Sequence, residues 1–149
     1  MTANRDIGRM ALKQAIMVRR ELGVSMDSPI DAVDVAERLG VEVFFQDIPS
    51  MEGMYVKSDP SHILLPSDRP MGRQMFACGH ELGHHRFGHG TCADDHSDDT
   101  PASPRSGQRD PEESLADLFA CHLLMPRAAI ERAFYTRNWN PEGMSSSQA

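Results

Sequence analysis

Residues 80–85 read His80-Glu81-Leu82-Gly83-His84-His85, and no other stretch constrains the chain as much. On an α-helix each residue turns about 100°, so two histidines four apart leave the same face. Both rings can then converge on one ion, and Glu81, about 100° round from His80, leans over that ion without ligating it. A chain built on this spacing must supply a helix here, a further ligand from another element, and a scaffold that holds the two in register. A plainer reading, a His-rich helix face with no ion, stands beside it, and the surrounding sequence has to decide.

The chain before the motif divides cleanly. Ile7, Met10, Ala11, Gln14, Ile16, Met17, Val18 and Leu22 repeat near 3.6 residues and predict a helix over 4–22, stopped by Gly23. A second helix is expected with Ser28 as cap, Pro29 in the first turn and Gly40 as stop. The period then shortens. Val41 to Phe45, Met51 to Lys57 and His62 to Leu65 read as short strands separated by Pro49-Ser50 and by Ser58-Asp59-Pro60-Ser61. The longest helix, Pro70 to Phe87, carries the motif, and Gly83 inside it marks a place where something packs close to the backbone, with substrate or the sheet edge as the candidates. After a polar stretch over 88–110, expected to be a mobile loop, Asp110 caps a strongly apolar helix from Pro111 to Met125. A last short helix runs from Pro126 to about Tyr135. The expected class is α+β: a small, mostly antiparallel three-stranded sheet against about five helices, in one domain over 1–137 with a disordered tail at 138–149.

The 149-residue chain carries a formal charge of −7, which argues against nucleic acid as a direct ligand because phosphate needs a basic field. Arg19-Arg20 is the short basic candidate, read as a solvated helix face. No apolar run approaches the ~20 residues that cross a membrane, and the polar N-terminus lacks a signal-peptide core, so a cytoplasmic location is expected. Cys78, Cys92 and Cys121 are odd in number and have no Cys-x-x-Cys spacing, which suits a reducing compartment. Cys92, in the polar stretch near the histidines, is the cysteine with some chance of touching a metal.

A catalytic zinc takes three protein ligands and leaves a fourth position open. His85 points about 140° away from His80, and His89 lies at the helix end, so neither serves the same ion easily. Glu113 and Asp117, four apart on the apolar helix, offer a better answer. Glu113 can close the coordination, and Asp117 can accept the N–H of a ligating histidine, fixing its tautomer. Glu113 also stands where a capping-box glutamate would, three residues after Asp110, but capping leaves Asp117 unexplained.

The run Arg73-Gln74-Met75-Phe76-Ala77-Cys78-Gly79-His80-Glu81-Leu82-Gly83-His84 is followed by a second, from Glu113-Ser114-Leu115-Ala116-Asp117-Leu118-Phe119-Ala120 to Leu123-Leu124-Met125-Pro126. Together they resemble the ImmA/IrrE metallopeptidases over roughly residues 28–130. The resemblance implies a zinc peptidase whose protein substrate is a helix-turn-helix repressor, often encoded beside it, cleaved or inactivated under stress or during mobile-element induction.

The chemistry expected is metal-assisted, gluzincin-like peptide hydrolysis. His80, His84 and Glu113 hold Zn2+, Glu81 is the general base, and Tyr55, His85 and Arg73 are candidates for oxyanion or substrate contact, with a salt bridge as the plainer role of Arg73. Two alternatives stay open. One is a zinc-binding regulator that sequesters a repressor without cleaving it. The other is a structural zinc closed by Cys92, His85, His89 or His96.

Overall fold

The structure, a computed structural model, describes residues 2–95 and 110–137. Its elements follow in the order α1 (Thr2–Glu21), α2 (Ala32–Arg38), β1 (Glu42–Gln46), β2 (Met51–Val56), β3 (His62–Pro66), α3 (Met71–Arg86), β4 (Cys92–Asp95), α4 (Pro111–Leu124) and α5 (Arg127–Thr136). The class is α+β, as the patterning predicts. The expected tail, 138–149, and the 96–109 part of the polar stretch lie outside the described residues.

The three expected strands form, and β4, from the stretch expected to be a loop, joins them in a four-stranded sheet of spatial order β1-β3-β2-β4. Two of the three pairings, β2 with β3 and β2 with β4, are antiparallel, while β1 runs parallel to β3 with Val43 opposite Ile63. The sheet is therefore mixed. Alternation on β2 and β3 sorts the faces: Gly53, Tyr55, Ile63 and Leu65 are buried toward the helices, and Met54, Val56, His62 and Leu64 are not. On the outer edge, Phe44 and Phe45 of β1 stay largely exposed.

Two local expectations change. Asp31, not Ser28, caps α2, its carboxylate accepting from the amides of Val33 (2.8 Å) and Asp34 (3.3 Å). Ser28 instead offers its carbonyl to Arg19 at 2.9 Å. Arg19 itself is no solvated residue: it is 1% exposed. Its guanidinium donates to the Leu123 carbonyl (3.1 and 2.7 Å) and to the Ser25 carbonyl (2.6 Å), so a fixed cation meets the negative end of α4. Burial pushes its pKa below the ordinary guanidinium value, with Asp27 opposing that shift.

The core lies between α1, α3, α4 and the inner face of the sheet, with Ala11, Ala15 and Val18 from α1, Leu82 from α3, and Leu115, Phe119 and Leu123 from α4. Small residues set the spacing of α3 and α4. A Cβ on Gly83 would lie 3.0 Å from the Ala116 Cα, and one on Gly79 would lie 3.2 Å from the Ala120 Cβ. The close approach expected at Gly83 exists, but its partner is α4, where Ala116 is small enough to admit it, and not the sheet edge or a substrate.

Gly83→Ala should lower stability by about 1–3 kcal/mol through overpacking, despite a gain of up to ~1 kcal/mol in helix propensity. Gly72→Ala, in the same helix with nothing within 4 Å of the new Cβ, should stabilise instead. Urea denaturation of both variants checks the opposite signs.

Candidate metal centre

On α3, the helical repeat turns His80 and His84 to one face, and both rings are buried, 4% and 1% exposed. Their Nε2 atoms lie 3.1 Å apart. The first turn of α4 arrives opposite them because Asp110 caps that helix by accepting from the Glu112 amide at 3.0 Å, with Pro111 opening the helix. Glu113 then sets one carboxylate oxygen 3.0 Å from His80 Nε2 and the other 3.2 Å from His84 Nε2. The three donor groups all fall within 4.8 Å of one another, a group that could hold a metal ion.

The donor chemistry fits a cation. Asp117 Oδ1 lies 2.7 Å from His80 Nδ1, and an ionised carboxylate only accepts, so the proton of a neutral His80 sits on Nδ1. Its Nε2 then presents a lone pair toward the Glu113 carboxylate and the other imidazole nitrogen. Lone pairs converging at such distances repel unless a proton or a cation lies between them. Two imidazoles and a carboxylate form a three-ligand set of the kind zinc takes in catalytic sites.

Glu81, fully buried, points to the sheet side of α3. Gly53 of β2 makes room for it: a Cβ there would stand 2.9 Å from Glu81 Oε1. The glycine is required by a side chain from another element, since its φ is not in the left-handed region.

The remaining candidates have contacts of their own. Tyr55, 2% exposed, directs its hydroxyl at the Ser61 hydroxyl (3.2 Å) and at His85 Nδ1 (2.9 Å). Desolvation, and secondarily Arg86, hold His85 below the ordinary histidine pKa, which suits a neutral ring packed edge-on to Tyr55. Arg73 forms an ion pair with Glu52 of β2. Cys78 is buried, and burial pushes its thiol up to about 12, far from thiolate reactivity. Cys92 begins β4, inside the stretch read from sequence as a loop.

A residue set aside at the sequence level stands against the cluster. His89 Nδ1 lies 2.8 Å from His84 Nδ1, on the side of the ring away from Glu113. The cause is the helix end. Gly88, with φ of 70°, reverses the chain, and its amide bonds the His85 carbonyl (3.1 Å) while that of His89 bonds the His84 carbonyl (2.9 Å). This Schellman pattern folds the second residue past the cap back over the third-last turn position, here His84. The signal was present in Phe87-Gly88-His89.

A family model described as the IrrE N-terminal-like domain, Peptidase_M78, matches residues 36–142, which takes in β1 to α5 and every residue of the cluster. The chain belongs to this family. Membership in Peptidase_M78 supports a metallopeptidase, in keeping with a His-His-Glu group able to take a metal. A search of curated proteins returned no match. Among the described residues, no helix is long and apolar enough to cross a membrane.

Glu113→Ala should lower zinc affinity by more than the ~10–100-fold typical of losing an outer hydrogen-bond partner. Chelator competition on the purified protein measures this, and undiminished affinity would remove Glu113 from the ligand set.

Proposed function

We propose that this Peptidase_M78 member is a zinc-dependent, gluzincin-like peptidase of the cytoplasm. Its substrate, on this reading, is a helix-turn-helix transcriptional repressor encoded nearby, inactivated by cleavage during stress or mobile-element induction. The observation that carries the chemistry is the convergence of His80, His84 and Glu113 beside a buried Glu81. The choice of a repressor as substrate rests on the resemblance of the two helical motifs to ImmA/IrrE proteins.

In this mechanism His80 and His84, through Nε2, and the Glu113 carboxylate would hold the ion. When bound, zinc supplies a Lewis acid that polarises the scissile carbonyl and brings the pKa of water in its shell to about 7. Glu81 takes the proton of the attacking water and delivers it to the leaving amine. A carboxylate in that role needs a fixed direction, and the Gly53 backbone under its Oε1 restricts the rotamers open to it. Asp117 keeps the His80 proton on Nδ1, so that the ring offers its other nitrogen to the ion. Tyr55 and His85 join the sheet to α3, and Arg73 with Glu52 joins β2 to the start of the same helix. These three position the motif helix and leave the reacting atoms to Glu81 and the ion.

Glu81→Gln should retain one zinc per chain and lose cleavage of the co-expressed repressor by ~10²–10⁴-fold, the usual worth of a positioned general base. Mass spectrometry of the repressor and metal analysis of the variant read both quantities. Persistent cleavage would refute the assignment of Glu81, and a wild type that binds the repressor without cutting it would turn the reading toward sequestration.

A further inference from the structure

We propose that His89 is a positioning residue for the metal site: it accepts the Nδ1 proton of His84 and thereby turns the His84 Nε2 lone pair to the ion. The inference rests on the proposed reading of His84 as a ligand and deepens it. The two histidines of the motif are treated alike by the fold. His80 has its Nδ1 2.7 Å from Asp117, and His84 has its Nδ1 2.8 Å from His89. One outer partner is a carboxylate on α4, and the other is an imidazole brought round by the turn at Gly88.

The proton inventory decides the direction of the second bond. Two imidazole nitrogens 2.8 Å apart form a hydrogen bond only if one carries hydrogen and the other a lone pair. If His89 donated, the neutral His84 would carry its proton on Nε2, the atom 3.2 Å from Glu113 and needed by the ion. If His84 donates, Nε2 is free to ligate, and His89 carries its own proton on Nε2. That nitrogen lies 4.0 Å from the exposed carboxylate of Glu112, which favours the hydrogen there. Of the two, the second arrangement is the one that leaves the His84 Nε2 lone pair for an ion.

The rest of the His89 environment holds the ring in place. Its side chain is 10% exposed. Its ring stacks on Phe87, with centroids 6.0 Å apart and planes at 26°. Its backbone amide is fixed on the His84 carbonyl. A ring so confined loses little freedom on accepting the bond, whereas a mobile partner would lose more. Hydrogen bonding of this kind orients a ligating imidazole and raises its basicity.

Two substitutions separate acceptance from packing. His89→Phe keeps a ring against Phe87 and removes the acceptor. His89→Asn loses the ring and keeps an acceptor, the amide oxygen, near the position of Nδ1. Zinc affinity is measured by chelator competition, and thermal unfolding of the zinc-free proteins is followed in parallel. The expected result is a 10–100-fold weaker affinity in H89F with the unfolding temperature of the zinc-free form little changed, and affinity within a few-fold of wild type in H89N. Equal affinity in wild type and H89F overturns the inference and leaves the zinc reading standing. So does an affinity loss in H89F and H89N alike, or one that tracks the stability of the zinc-free form, since packing would then be the cause. A wild type that binds no zinc overturns the zinc reading and this inference together.

Discussion

The site depends first on how closely α3 and α4 approach. Gly79 and Gly83 lie against Ala120 and Ala116, so the two helices meet almost backbone to backbone. That separation lets a glutamate of ordinary length on α4 reach both imidazoles of α3 with its two oxygens, and lets Asp117 one turn later reach behind His80. With larger residues at these positions, the helices would stand apart by the width of a side chain and the carboxylates would fall short. The same four small residues contribute little hydrophobic burial of their own. Leu82, Leu115, Phe119 and Leu123 around them provide the apolar anchorage, and the buried Arg19 secures the far end of α4 through the Leu123 carbonyl.

A second close approach defines the other side of the motif helix. Gly53 brings the backbone of β2 against Glu81, and two residues on, Tyr55 meets His85, one helical turn after Glu81. The period of two on the strand and of nearly four on the helix thus run alongside each other. The result divides α3 lengthwise: one face presents His80 and His84 to α4, and another presents Glu81 and His85 to the sheet. The two histidines and Glu81 are separated by the geometry of the helix itself, and each is held by a different neighbour.

Much of this was legible in the residues. The helix over 70–87, the cap at Asp110 and the spacing of Glu113 and Asp117 come from local rules of rotation and capping, which tertiary contacts had no cause to override. The partners of the strands were not legible, because alternation reveals a strand and its faces but not which neighbour it takes; the parallel pairing of β1 with β3 is of that kind. Cys92-Ala93-Asp94-Asp95 lacks a strand pattern, yet it pairs with β2 as an edge strand, where polar composition is tolerated. Arg19 looked like surface charge because nothing in its own helix indicates that three carbonyls from other segments converge on it. His89 was set aside as a ligand because it lies at the helix end, and the local rules say nothing of which ring it meets there. The chain reverses at Gly88 and brings the His89 ring to His84 Nδ1, on the side away from Glu113.

The proposed site holds one ion between His80, His84 and Glu113 with a position left open. A crystal structure of the zinc-loaded protein, with anomalous data on both sides of the zinc edge, tests it most directly. The expected result is a single strong anomalous peak at about 2.0–2.2 Å from His80 Nε2, His84 Nε2 and a Glu113 oxygen, with no fourth protein ligand. A peak closed by Cys92 or another histidine, or one lying away from Glu113, would contradict it.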